Sequence, residues 1–193
     1  MRRRTFLKRW LSGSVLLAVA ALLYGVTPLL APRRAMAKRN ILRPPGALPD
    51  DAAFIVACIG CGLCGEVCPP RCIKFHARDG STEVNTPYID VAEKACILCD
   101  KCMVVCPTEA LTLIPRREIN MGRAEIDRTA CYPWVDRGIC GACVSVCPLG
   151  EQAIDYEMWN QYRPAIQNGC VGCGLCVEVC PHPSTPIWVV AVA

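Results

Sequence analysis

The chain has 193 residues, 17 of them cysteine, with 53% apolar but only 6% aromatic content and a formal net charge of +4. The basic excess is confined to the start: residues 1–37 hold seven basic residues and no acid, and the remainder carries 14 Lys+Arg against 17 Asp+Glu, a net of −3. That balance excludes a nucleic-acid binder, since no basic stripe with interleaved aromatics is left, and the scarcity of long apolar runs after residue 40 excludes a large hydrophobic core.

Residues 1–37 read as an export leader. Arg3-Arg4-Thr5-Phe6-Leu7-Lys8 fits the twin-arginine pattern, an apolar stretch runs from Leu11 to Ala31, and Ala35-Met36-Ala37 fits a signal-peptidase site that would leave Lys38 first. The alternative is an uncleaved anchor, because that apolar stretch is long enough to span a bilayer. In both cases residues 38–193 are expected in the periplasm, delivered by the twin-arginine translocase. Residues 38–52, with Pro44-Pro45-Gly46 and Pro49, read as an extended arm.

Four cysteine motifs follow, each closed by proline: Cys58-x2-Cys61-x2-Cys64-x3-Cys68, Cys96-x2-Cys99-x2-Cys102-x3-Cys106, Cys131-x8-Cys140-x2-Cys143-x3-Cys147 and Cys170-x2-Cys173-x2-Cys176-x3-Cys180. Three match the bacterial ferredoxin run, and the third is widened between its first two cysteines. A [4Fe–4S] cube offers one thiolate site per iron, so two-residue gaps let a loop wrap three corners with its N–H groups aimed at sulfur. The fourth cysteine then reaches out, usually to the partner cube of a pair. Gly60, Gly62, Gly172 and Gly174 sit between ligands, where a positive φ is expected. Zinc ribbons space their cysteine pairs differently, and cysteines three apart on one loop pair poorly as disulfides. All sixteen cysteines are therefore read as ligands of four [4Fe–4S] clusters. Export must then move a folded protein, which the twin-arginine route does. Four oxidised cubes at about −2 each would bring the exported protein near −11, suiting a cationic docking face on a redox partner.

Short strands are expected over 72–77, 88–91, 110–114, 124–126, 153–156 and 164–166, with Asp79-Gly80-Ser81 as a turn. The repeat of about 38 residues marks a duplicated half-ferredoxin unit. The fold class is α+β: two bacterial-ferredoxin-like dicluster units, in regions 53–115 (motifs 1 and 2) and 116–193 (motifs 3 and 4). Pairing of motifs 1+4 and 2+3 is an equal alternative. Ile59, Leu63, Val67, Ile97, Val105, Val144, Val146, Val171 and Val179 are expected to exclude water from the sulfurs. Cys72 reads as a small buried hydrophobe, with a substitute ligand or disulfide partner as the minor alternative. His76 and His182 read as surface or packing residues, and Glu66, Glu109 and Glu178 as capping or solubilising ones. No catalytic constellation is visible, so an electron carrier is expected rather than an enzyme.

The segment Leu42-Arg43-Pro44-Pro45-Gly46-Ala47, the run Ala57-Cys58-x2-Cys61-Gly62-x-Cys64, Thr86-Pro87-Tyr88, Met121-Gly122 and the widened third motif together resemble the NapG/MauM family of Tat-exported ferredoxin-type proteins. The resemblance implies a periplasmic four-cluster carrier. Its partners would be a membrane-bound NapH-like quinol dehydrogenase and a periplasmic redox enzyme such as nitrate reductase, or an amine-oxidising system in the MauM branch. Other roles left open are an electron-transfer subunit of another molybdenum or tungsten enzyme, and an assembly factor whose clusters are structural.

Overall fold

The computed structural model describes residues 40–77, 82–158 and 162–191. The leader read over 1–37, residue Lys38 and the Asp79-Gly80-Ser81 turn lie outside the described residues. The arm is extended at its start and packed rather than free: strand β1 (Ile41–Leu42) pairs antiparallel with β3 (Pro87–Asp90), and Pro44 and Pro45 are fully buried. Helix α1 (Asp51–Ala57) begins inside the arm. Asp50 accepts a hydrogen bond from the Ala53 N–H at 3.1 Å, satisfying an orphan donor of the first turn. Phe54, completely buried, takes the Arg43 guanidinium over its ring at 4.9 Å.

Each cysteine motif is a loop running into one helical turn that carries its third cysteine. These turns are α2 (Leu63–Glu66), α3 (Lys101–Val105), α4 (Ala142–Val146) and α5 (Leu175–Glu178). A ribbon links the motifs within each half: β2 (Ile73–Phe75) with β3, and β5 (Ile154–Met158) with β6 (Tyr162–Ile166). A second ribbon closes the ends of each half. In the later half β4 (Arg123–Ile126) pairs with β7 (Ile187–Val190), Ala124 opposite Val189. In the earlier half the closure shrinks to one bridge, Ala47 opposite Leu111. The strand expected over 110–114 stops there because Pro44 and Pro45, just upstream on the partner, have no N–H to extend the ladder. All described pairings are antiparallel and the fold is α+β, with two ferredoxin-like dicluster units in which α2 packs on α3 and α4 on α5.

The core threads through the cysteines, with Phe54, Ile89, Val91 and Val189 fully buried around them. One expectation fails here. Of the nine aliphatics assigned to shield the sulfurs, only Val171 is buried; Ile59 (67% exposed), Leu63 and Ile97 face solvent. A loop that turns its sulfurs and N–H groups inward turns several of the side chains between them outward. Phe54 and Leu111, supplied by neighbouring elements, are buried around the thiols in their place, together with Leu98 and Val177 from within motifs 2 and 4.

The expected glycines adopt left-handed backbone: φ is +63° at Gly60, +80° at Gly62, +77° at Gly172 and +84° at Gly174. Motif 2 bends the same way with Leu98 at +53° and Asp100 at +64°, where a Cβ is strained. Asp100 also buries Oδ1 without a hydrogen-bond partner, while Oδ2 accepts from Arg116 Nε at 3.2 Å. Asp100→Gly removes the strain and the orphan oxygen and loses one exposed ion pair. Anaerobic thermal bleaching of the cluster absorbance should therefore shift upward, by the equivalent of about 0.5–1 kcal/mol; a downward shift would show that the ion pair dominates.

Candidate metal centres

The folded chain draws the sixteen predicted cysteines into four neighbouring quartets. Cys58, Cys61 and Cys64 share an apolar hollow with Cys106. Cys96, Cys99 and Cys102 line another with Cys68 and Cys72. Cys170, Cys173 and Cys176 line a third with Cys147. The charges of Cys140 and Cys180 act on Cys131, and those of Cys131 and Cys140 act on Cys143, which defines the fourth group. In every case three cysteines come from one motif and the fourth from its neighbour in sequence. Motifs therefore pair 1+2 and 3+4; the nested 1+4 and 2+3 alternative is not formed.

The cross-over follows from local structure. The two-residue gaps wrap a loop, the helical turn carries the third thiol back to that loop, and Cys-Pro then leaves the helix extended toward the facing motif of the same unit. Cys106 and Cys147, at the ends of α3 and α4, have ψ of 122° and 119°. Backbone N–H groups are aimed at sulfur, as from Leu98 to Cys96 at 3.4 Å and from Ala124 to Cys170 at 3.5 Å.

Electrostatics show how costly thiolates are here. Burial, with neighbouring cysteines adding to it, pushes Cys64 and Cys173 up to about 11 and Cys102 and Cys143 up to about 12; Cys131, Cys176 and Cys180 are also raised. All seventeen cysteines are free of disulfides, and Cys61 is exposed. Among the described residues no group of three or more Cys, His, Asp or Glu closes on a point small enough for a single ion. Quartets held apart around a shared hollow, with N–H donors to sulfur, fit a cube whose four irons each take one thiolate.

Cys72 is 2% exposed, in keeping with a buried packing role, yet it is also a hydrogen-bonding partner. Its Sγ lies 3.5 Å from Cys68 Sγ, and its bond to Cys96 holds the proton on Cys72 and lowers Cys96. His76 pairs with Glu83 at 3.2 Å and stacks on Tyr88; His182 stacks on Tyr132. Both are packing residues. The third motif brings residues that spacing did not single out. Within its eight-residue spacer, Trp134 takes the guanidinium groups of Arg128 (4.0 Å) and Arg163 (5.3 Å) over its ring and donates to the Pro164 carbonyl at 3.0 Å. The aromatic Tyr132-Pro133-Trp134 run is the available signal for it.

The 4Fe-4S dicluster domain family matches residues 57–110, 95–150 and 137–184. Over 156 residues the chain is 35% identical to the methylamine utilization ferredoxin-type protein MauM of Methylorubrum extorquens, covering 75% of this chain and 70% of the relative. It is 34% identical over 190 residues to MauM of Methylobacillus flagellatus, covering 92% and 79%. It is 32% identical over 192 residues to the ferredoxin-type protein NapG of Escherichia coli, covering 90% and 80%. The chain belongs to this NapG/MauM family of ferredoxin-type iron–sulfur proteins.

The cross-over makes a specific prediction. Cys106→Ser should alter the same electron paramagnetic resonance signal as Cys61→Ser, although their motifs differ. It should leave unaltered the signal changed by Cys99→Ser. A shared effect of Cys106 and Cys99 instead would reverse the assignment.

Proposed function

We propose that this protein is a periplasmic carrier holding four [4Fe–4S] clusters, which relays electrons from a membrane quinol dehydrogenase of NapH-like type to a periplasmic oxidoreductase such as nitrate reductase. The observation that carries the reading is the gathering of sixteen thiols into four adjoining quartets in one small fold. The proposed ligands are Cys58, Cys61, Cys64 and Cys106; Cys96, Cys99, Cys102 and Cys68; Cys131, Cys140, Cys143 and Cys180; and Cys170, Cys173, Cys176 and Cys147. Bound there, each cube supplies reversible one-electron redox chemistry.

The chain's own residues set the conditions. Burial of the quartets disfavours added negative charge. N–H groups of Gly65, Leu98, Met103, Trp134, Leu175 and His182 directed at cysteine sulfur favour it. The balance of these two opposed effects at each quartet poises it against its neighbours. Export as a folded protein is supported by the Arg3-Arg4-Thr5-Phe6-Leu7-Lys8 motif, and the similarity to NapG supports the quinol-linked partners. The MauM relatives support a second partner set, an amine-oxidising system.

Protein purified anaerobically should contain about sixteen irons per chain, and its brown absorbance should bleach when reduced by one electron per cluster. Replacing Arg3 and Arg4 by lysine should move the iron-loaded protein from the periplasmic to the cytoplasmic fraction. Clusters that stay oxidised at every potential between quinol and the partner enzyme would rule out the carrier role; an unmoved variant would rule out the export route.

A further inference from the structure

The two dicluster units touch through their second and fourth motifs. The N–H of Cys96 donates to the carbonyl oxygen of Cys173 at 2.9 Å, joining a cysteine of one unit directly to a cysteine of the other. Around that bond, Glu178 Oε1 pairs with Lys94 Nζ at 2.5 Å and Oε2 accepts from the Ala95 N–H at 2.9 Å. Gly174 packs so closely on Val91 that a Cβ would collide with its side chain. The residues at the contact are buried: Cys96, Cys173, Val91, Ala95, Val171 and Val177 are each at most 9% exposed. In the motif-1 and motif-3 quartets, Cys61 is exposed and Ile139, beside Cys140, is 86% exposed.

We infer that electrons cross between the units at the Cys96–Cys173 contact, so that the path runs through the quartets of motifs 1, 2, 4 and 3 in that order, with motifs 1 and 3 as its two ends. Order in space thus departs from order in sequence, which would join motif 2 to motif 3 and leave motif 4 at an end. Tunnelling weakens steeply with distance, and a backbone hydrogen bond between two ligand residues is a short link. In the crossing step one electron moves. The centre on one side is oxidised by one, the centre on the other is reduced by one, no bond is made or broken, and no proton accompanies the charge. The electron derives from the quinol-class donor proposed above. Glu178 is a positioning residue: it touches neither centre and holds Lys94 and Ala95 so that Cys96 reaches Cys173.

This inference rests on the carrier reading, and magnetic coupling between centres in the fully reduced holoprotein tests it separately from activity. In Cys176→Ala, which removes the motif-4 centre, the motif-3 signal should become uncoupled while motifs 1 and 2 stay coupled to each other. In Cys140→Ala, which removes the motif-3 centre, the three remaining signals should stay coupled in one row. A path in sequence order gives the opposite pattern: no uncoupled signal in the first variant and an isolated motif-4 signal in the second. Iron analysis confirms that one centre has been lost in each. Should those variants fail to accumulate, Glu178→Ala keeps all sixteen thiols. It should lose coupling between the units while coupling within each unit and iron content stay native; unchanged coupling between the units overturns the inference. Failure of the carrier reading looks different, because centres that cannot be reduced give no reduced-state signals at all.

Discussion

A thiol buried among other thiols resists ionisation, and this protein buries many together. Burial raises Cys64, Cys102, Cys143 and Cys173 well above the ordinary thiol range, and neighbouring cysteines reinforce the rise. Positive charge inside the quartets, of the kind the irons of [4Fe–4S] clusters would supply, would make thiolates tolerable there. The rest of the architecture leans on that charge. The four cysteine-bearing helical turns are four or five residues long, far below the length at which a helix holds itself together. The ladders between strands are equally short. Ligation of clusters would therefore supply much of the folding free energy, and the crossed fourth cysteine means that neither motif of a pair can complete its quartet alone.

That dependence explains what could be read from the sequence. Ligand spacing is local, so the motifs and the left-handed glycines were legible. So were the ribbons β2, β3, β4, β5 and β6, whose β-branched and aromatic residues stand between turn signals. Pairing was not, because every motif carries the same chemistry and the domain family itself also matches residues 95–150, which span motifs 2 and 3. Strand β7 had a usable signal in Ile187-Trp188-Val189-Val190, but its partner β4 lies some sixty residues upstream. Helix α1 was hidden by the prolines before it, although Asp50 and Asp51 mark its start. The direction of the aliphatics within each loop was misread because spacing says which residues lie near sulfur and not which way they turn.

The motifs reach one geometry by three routes, and the differences are physical. Motifs 1 and 4 place glycine on both sides of the second cysteine, so the loop bends without strain. Motif 2 makes the same bend with Leu98 and Asp100. Leu98 is almost completely buried, at 1% exposure, and its packing holds a backbone that its own Cβ disfavours. Motif 3 has Gly141 at φ −131°, outside the left-handed region, and an insertion before Cys140. Here side chains replace backbone bending. Trp134 with two guanidinium groups over its ring, and Arg163 donating to the Pro133 carbonyl at 3.3 Å and pairing with Asp136 at 2.8 Å, fasten the insertion to β6. Tyr156, on the facing strand β5, brings its hydroxyl against Gly141, so a side chain at that glycine would collide with it. Cys140 is thus positioned by contacts from a ribbon distant in sequence, whereas the bends around Cys61 and Cys173 are set by their flanking glycines. The third quartet consequently depends on the tertiary fold of its unit more than the others do.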